Sequence, residues 1–212
     1  MGDLRTRTLP KGSSYWCVVE RRFGAISFNP NEGGDPTIDV VGGRFHPFES
    51  PAGTPVPTKY LADHENGAIA ETMMRAGRDP RTLGIGEIEQ RQLAQLSLRR
   101  PIRLADLTVP GPDSALALLM RGDHRAYVPL RKIAATLHAR HVELDGLLWE
   151  GRQLDQPGMK CLMLFGDRVS PEVDLAEVVT LALDSGTGLA MLRRAARLRR
   201  FKLPEALDRF GR

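Results

Sequence analysis

Short apolar runs alternate along the chain with longer polar, turn-rich stretches, and the runs follow two different periods. Tyr15-Trp16-Cys17-Val18-Val19 is compact and rich in β-formers, which predicts a first strand. Tyr60-Leu61-Ala62, Leu93–Leu98, Ile102–Leu107, Leu147-Leu148-Trp149 and Val178–Leu183 predict further strands, and Lys160–Phe165 gives the strongest buried-strand signal. Helical spacing predicts a helix over Glu65–Ala76, with Ala68, Ile69, Thr72 and Met73 facing inward and Asp63 or Asn66 as its cap. Further helices are expected over Ser114–Arg121, over Pro129–Arg140 with Leu130, Ile133, Ala134 and Leu137 on one face, and over Gly188–Phe201. In the last of these Leu189, Leu192, Ala196 and Leu198 point inward. Gly84–Ile88 fits neither period, and Gly/Pro/Asn chemistry marks 24–42, 45–57, 110–112 and 150–158 as loops.

Strands and helices intermix without a regular βαβ rhythm, so the expected fold is α+β, one domain with mixed sheets and flanking helices. Residues 1–13 are polar and contain Pro and Gly, which predicts a loose arm. Residues 14–185 form the body, and 186–212 are expected to pack on it as a basic amphipathic helix.

Composition changes this picture little: 212 residues, 42% of them hydrophobic and 26% charged, suit one soluble globular domain. The formal charge of +4 could suggest nucleic acid, but Arg193–Arg212 alone carry eight Lys or Arg against two Asp or Glu. The body is therefore nearly neutral, and a solvated helix face explains the tail better than nucleic-acid binding. Cys17 and Cys161 lie far apart in apolar runs, as buried thiols in a reducing compartment would. The N-terminal residues lack the apolar core of a secretory signal, and no apolar run reaches 18 residues. A cytoplasmic protein without membrane contact is expected.

Phosphate loops, dinucleotide fingerprints, zinc-protease helices and nucleophile elbows are all missing from the sequence. His138 and His141 stand at i, i+3, but a half-exposed pair at a helix C-terminus accounts for them, and no metal is expected. The most informative stretch is Gly42–Arg75. Gly42 and Gly43 let the backbone approach a ligand, and the Arg44 guanidinium, beside Phe45, offers a planar fork to phosphate. Tyr60 lies on a strand and Glu71 on a helix whose neighbouring positions are small and apolar. Each has an ordinary alternative: a surface arginine, a core tyrosine, a helix-surface glutamate. Together they can build a site for a ligand bearing both a phosphate and a ring.

In order and spacing, Tyr15–Val19, Phe28-Asn29-Pro30, Gly43-Arg44-Phe45, Tyr60-Leu61-Ala62 and Ala68-Ile69-Ala70-Glu71 resemble the RES domain family. Asp145-Gly146-Leu147-Leu148-Trp149, Gly151-Arg152-Gln153 and Phe165-Gly166-Asp167-Arg168 continue the likeness. The resemblance implies a fold like that of ADP-ribosyltransferase toxins and cleavage of NAD, as substrate, at the nicotinamide–ribose bond. Phosphate or water would be the acceptor, and no metal would take part. It further implies a toxin paired with a helix-turn-helix antitoxin, and a homo-oligomer is expected with it. By resemblance Arg44, Tyr60 and Glu71 are the catalytic set. Phe45, Arg21, Gly151 and Arg152 join Arg44 and Tyr60 in substrate binding. Three positions depart from the family. Gly151 stands where a serine is expected, Cys17 where an early arginine is expected with Arg21 or Arg22 as near substitutes, and His46 where many members carry asparagine or aspartate. A relative that binds a nucleotide or a partner without turnover is the alternative.

Overall fold

Alternation along the strands places side chains on two faces of one sheet, and both faces are covered. In the computed structural model, which describes residues 4–32, 37, 43–74, 81–108, 115–121, 126–151 and 158–208, Lys160–Phe165 (β7) sends Cys161, Met163 and Phe165 to one core and Leu162 and Leu164 to the other. Two-sided burial is why this run carries no polar alternation. Gly146–Glu150 (β6) behaves likewise, with Leu147 and Trp149 on the first face and Leu148 on the second.

The remaining strands are Thr6–Leu9 (β1), Ser14–Glu20 (β2), Thr58–Ala62 (β3), Arg91–Leu98 (β4), Ile102–Asp106 (β5) and Leu175–Ala182 (β8). Their order is β1-β5-β6-β7-β3-β2-β4-β8. Neighbours run antiparallel except β5 and β6, which are parallel. A parallel pair needs a crossover, and the segment between β5 and β6 contains the helices Ala115–Arg121 (α3) and Tyr127–Arg140 (α4). The α+β expectation is therefore met.

The join between β2 and β3 is the narrowest in the sheet. β2 is zipped to β4 over seven residue pairs, from Ser14↔Ser97 to Glu20↔Arg91. β3 is zipped to β7 over five, from Thr58↔Phe165 to Ala62↔Cys161. Between β2 and β3 only Trp16↔Ala62 is in register. Beyond that pair the strands splay, and the segment returning from β2 fills part of the gap: Asn29 exchanges both backbone hydrogen bonds with Thr58, at 2.8 and 2.9 Å.

Helices Glu65–Met73 (α1) and Gly186–Arg199 (α6) cover the first face. Ala68, Ile69, Ala70 and Met73 of α1 are buried, as are Leu189, Leu192 and Ala196 of α6. Short helices at Ile85–Glu89 (α2), Pro171–Asp174 (α5) and Glu205–Asp208 (α7) complete the architecture.

Several expectations need correction. Residues 6–9, placed by sequence in a loose arm, form an edge strand on β5, from Thr6↔Ala105 to Leu9↔Ile102. The cap of α1 is neither Asp63 nor Asn66 but His64, whose Nδ1 accepts from the Asn66 N–H at 3.2 Å. Leu198, expected inward, is 49% exposed. Gly84–Ile88, which fitted neither period, opens α2. His138 is not half-exposed but buried, with Nε2 2.8 Å from Asp167 Oδ2.

What holds β1 in place is Asp106, at the end of β5. Its side chain is 1% exposed and lies 3.2 Å from Arg7 Nε and 3.7 Å from Arg5 Nε. Oδ1 also accepts from the Thr108 backbone N–H at 3.0 Å and from the Thr108 hydroxyl. Burial alone would raise this carboxyl's pKa, but the Thr108 hydrogen bonds and the two arginines overcome it and hold it below the ordinary range. A depressed carboxyl stabilises the fold above its unfolded pKa of about 3.9 and stops doing so as pH falls through the folded value. Asp106→Asn should therefore cost about 1–3 kcal/mol at pH 7, read as a lower melting temperature. The gap to wild type should close as pH falls below 4. A gap that persists at low pH would mean that the charge is not what holds β1.

Candidate functional site

Where β2 and β3 part, a cavity of about 530 Å³ opens. It runs along β2 from an inner end at Trp149 and Glu71 to an outer end at Glu20 and Arg91. Tyr60 of β3 forms one inner wall, since its side chain leaves the sheet on the α1 face, where Glu71 and Thr72 also line the space. Alternation along β3 sends Lys59 and Leu61 the opposite way, yet both still reach the cavity through the gap.

An aromatic wall supports the inner end. Trp149 packs tilted against Phe45, with centroids 4.9 Å apart, and meets Tyr60 edge-on at 5.6 Å. The Trp149 indole N–H is buried and has no hydrogen-bond partner among the described residues. The Tyr60 hydroxyl accepts from the Phe45 backbone N–H at 3.1 Å, so the strand fixes the loop that carries Arg44.

That loop is held from three directions. Arg44 is 7% exposed and donates from Nη1 to the Met120 carbonyl at 2.7 Å. Arg131 of α4, 1% exposed, donates from Nε to the Gly43 carbonyl at 3.3 Å. The Gly43 N–H donates to the His46 carbonyl at 2.9 Å. His46, where the family resemblance implies a short polar residue, is buried with Nδ1 2.9 Å from Asn31 Oδ1 and 3.2 Å from Thr58 Oγ1. It thus serves as a polar clamp between the loop and β3.

Lys59 is the least expected lining residue. It is 4% exposed, and Nζ donates to the carbonyls of Ala25 at 2.6 Å and Ser27 at 3.0 Å. Burial lowers its pKa, while the neighbouring Cys17 opposes that shift. Burial likewise raises the Cys17 thiol, with Lys59 opposing. Cys17 is therefore an inert thiol facing an ammonium.

Gly151 stands beside Glu71. A Cβ there would lie 3.2 Å from Glu71 Oε1 and 2.9 Å from Cys161 Sγ, and would collide with Met159 Cε. A Cβ at Gly67 on α1 would strike the Met159 sulfur. Met159 thus fills the corner between two glycines, occupying the volume where the family resemblance expects a hydroxyl. Burial pushes the Cys161 thiol well up, Glu71 and Asp63 push it further, and Arg44 opposes them.

Of the residues expected at the site, Arg44, Tyr60 and Glu71 line one cavity, with Phe45 packed behind them and Gly151 against Glu71. Arg21 is not brought in: its guanidinium bonds Asp184 and the Arg91 carbonyl, while Arg22 lines the cavity. Arg152 lies outside the described residues. Sequence reasoning missed Lys59, Arg131 and Met159 as parts of the site. A lysine inside an apolar strand, and an arginine and a histidine (Arg131, His138) on the buried side of α4, were the available signals. Among the described residues, no group of three or more His, Cys, Asp or Glu could hold a metal ion.

The family model described as RES domain matches residues 16–184 of the chain. Among solved structures, the toxin–antitoxin complex MbcT–MbcA of M. tuberculosis contains a chain similar to this one. The match covers 91% of this chain and 92% of that one, at 20% identity and a TM-score of 0.57. Such a likeness shows a shared fold. No match by sequence is found among curated proteins.

Gly151→Ser should lower stability by about 1–3 kcal/mol, because Met159 must vacate its corner. Adding Met159→Ala should restore part of that loss, measured as a coupling between the two changes in urea denaturation. Additive effects would show that Met159 does not fill the serine's place.

Proposed function

Because the chain belongs to the RES domain family, we propose that it consumes NAD, breaking the nicotinamide–ribose bond as the toxin of a toxin–antitoxin pair. The observation that carries this reading is the meeting of a carboxylate, a guanidinium and an aromatic wall in one cavity at Glu71, Arg44 and Tyr60–Trp149.

The chemistry asks little of the protein beyond placement. The ring nitrogen of bound nicotinamide is cationic, so it leaves as a neutral base with the electron pair of the C–N bond and needs no acid. Positive charge then grows on the ribose. Glu71 would supply a negative charge for it, beside a corner filled by Met159 and Cys161. Tyr60 and Trp149 would give the ring an aromatic wall to lie on. Arg44 would hold the diphosphate or the incoming phosphate. Phosphate attacks C1′ through an oxygen that is already anionic. Water would also have to lose a proton, for which Glu71 is the carboxylate at hand.

A second reading, nucleotide binding without turnover, is favoured by one observation: Gly151 offers no hydroxyl beside Glu71, and Met159 has taken its room. The antitoxin partner is proposed with the first reading. It is supported by the family and by the likeness to a chain of the MbcT–MbcA toxin–antitoxin complex. A helix-turn-helix antitoxin, a homo-oligomer and a cytoplasmic setting belong to the same proposal.

Pure protein incubated with NAD should release nicotinamide, with added phosphate separating a phosphorylated ADP-ribose product from free ADP-ribose. Glu71→Gln should slow release about 100-fold or more, and Arg44→Ala should raise KM. Saturable NAD binding with no nicotinamide released would establish the second reading instead.

A further inference from the structure

Beyond Tyr60 and Glu71 the cavity continues along β2. At its far end the sequence turns from apolar to charged at Glu20-Arg21-Arg22-Phe23, and the structure converts that change into a second cation–aromatic site. Phe23 is 51% exposed, so its ring is open to solvent at the cavity rim. The Arg22 guanidinium lies 4.7 Å from its ring centroid, and the Arg22 side chain is 74% exposed.

Across the strand pair stands Arg91, opposite Glu20 in the β2–β4 register. The Glu20 carboxylate is taken by Arg22 Nε at 2.7 Å. Arg91 lines the cavity half-buried, and no carboxylate pairs with its guanidinium among the described residues. Two cations against one carboxylate leave this end positive, with a half-exposed ring and a guanidinium that no carboxylate among the described residues neutralises.

We propose that the outer end of the cleft is a purine-nucleotide subsite, which takes the adenylate half of the dinucleotide whose other half enters the inner end. The base stacks on Phe23 at the Arg22 edge, because a purine offers a π-face to both a ring and a guanidinium. The phosphate of that half meets Arg91. Glu20 keeps Arg22 in place over Phe23. The subsite rests on the NAD reading for the identity of the whole ligand, yet it binds an adenylate whether or not the nicotinamide bond is cleaved.

AMP is the probe, titrated by calorimetry into the full chain, with nicotinamide mononucleotide as the probe of the inner end. Wild type should bind both saturably. Phe23→Ala should weaken AMP roughly tenfold or more, Arg91→Glu should weaken it further, and both should leave nicotinamide mononucleotide unchanged. Phe23 lies half on the surface, so unchanged melting temperatures should accompany the Phe23 loss. Arg91→Lys, which keeps charge but not the fork, should fall between wild type and Arg91→Glu. No AMP binding by wild type, or wild-type AMP affinity in folded variants, overturns the subsite. Nicotinamide release is read separately. Loss of AMP binding in the variants with no turnover by wild type keeps the subsite and removes the cleavage reading. Turnover with AMP binding untouched in both variants does the reverse.

Discussion

One backbone pair, Trp16↔Ala62, carries the whole join between the two halves of the sheet, and the cleft exists because the zipper stops there. Strands that stayed paired would close the gap and bury Tyr60 and Val18 against each other. Strands with no pairing would leave two open edges, each a row of unsatisfied donors and acceptors. The chain resolves this by returning residues 21–30 into the gap, so that Asn29 satisfies Thr58 while the rest of the opening stays accessible. Lys59 ties the same segment down from below, its ammonium capping the carbonyls of Ala25 and Ser27. The segment that limits the cleft and carries Phe23 is thus held by one strand residue on each face of β3.

The cations around the cleft share a consequence. Arg44 and Lys59 are buried, and among the described residues each rests on backbone carbonyls rather than on a carboxylate. A carbonyl satisfies the N–H groups without cancelling the charge, so the positive field remains directed into the cavity. A buried ion pair would have satisfied the same donors and neutralised the site. Desolvation works against Lys59 in particular, whose pKa falls for that reason. Two carbonyls accept from its Nζ, and Cys17 opposes the shift.

The sequence was most legible where burial is two-sided or periodic. Lys160–Phe165, Leu147–Trp149 and the inner face of α4 announce themselves because nothing but packing decides their residues. Thr6–Leu9 was not legible, because an edge strand alternates weakly and is fixed here by Asp106, 99 positions from Arg7. The His64 cap lost out to Asp63 by propensity, since imidazole is a rare cap, but Asp63 sits one residue too early. Leu198 misled because the helical stripe drifts at the end of α6, where Arg200 turns left-handed at φ 54°. Arg44, Tyr60 and Glu71 could be singled out from the sequence, whereas Lys59 and Arg131 could not. Their role is to satisfy carbonyls of distant loops, and no local pattern encodes that.

Gly151 gains its meaning only in three dimensions. As a sequence feature it is an absent hydroxyl beside Glu71. In the fold it is one of two glycines on which Met159 rests, and the corner it vacates is filled by a thioether and a thiol rather than by water. A hydroxyl there would give Glu71 or the ligand a hydrogen bond and would keep the corner polar. Sulfur and methyl groups remove that bond and make the corner less polar, and a carboxylate acts more strongly on a developing positive charge where the dielectric is lower. On the proposed reading, the exchange would move the burden from hydrogen bonding to charge. Chemistry that proceeds through a cationic ribose tolerates it, because its transition state asks for a nearby anion. Chemistry that needs a proton donor in that corner does not.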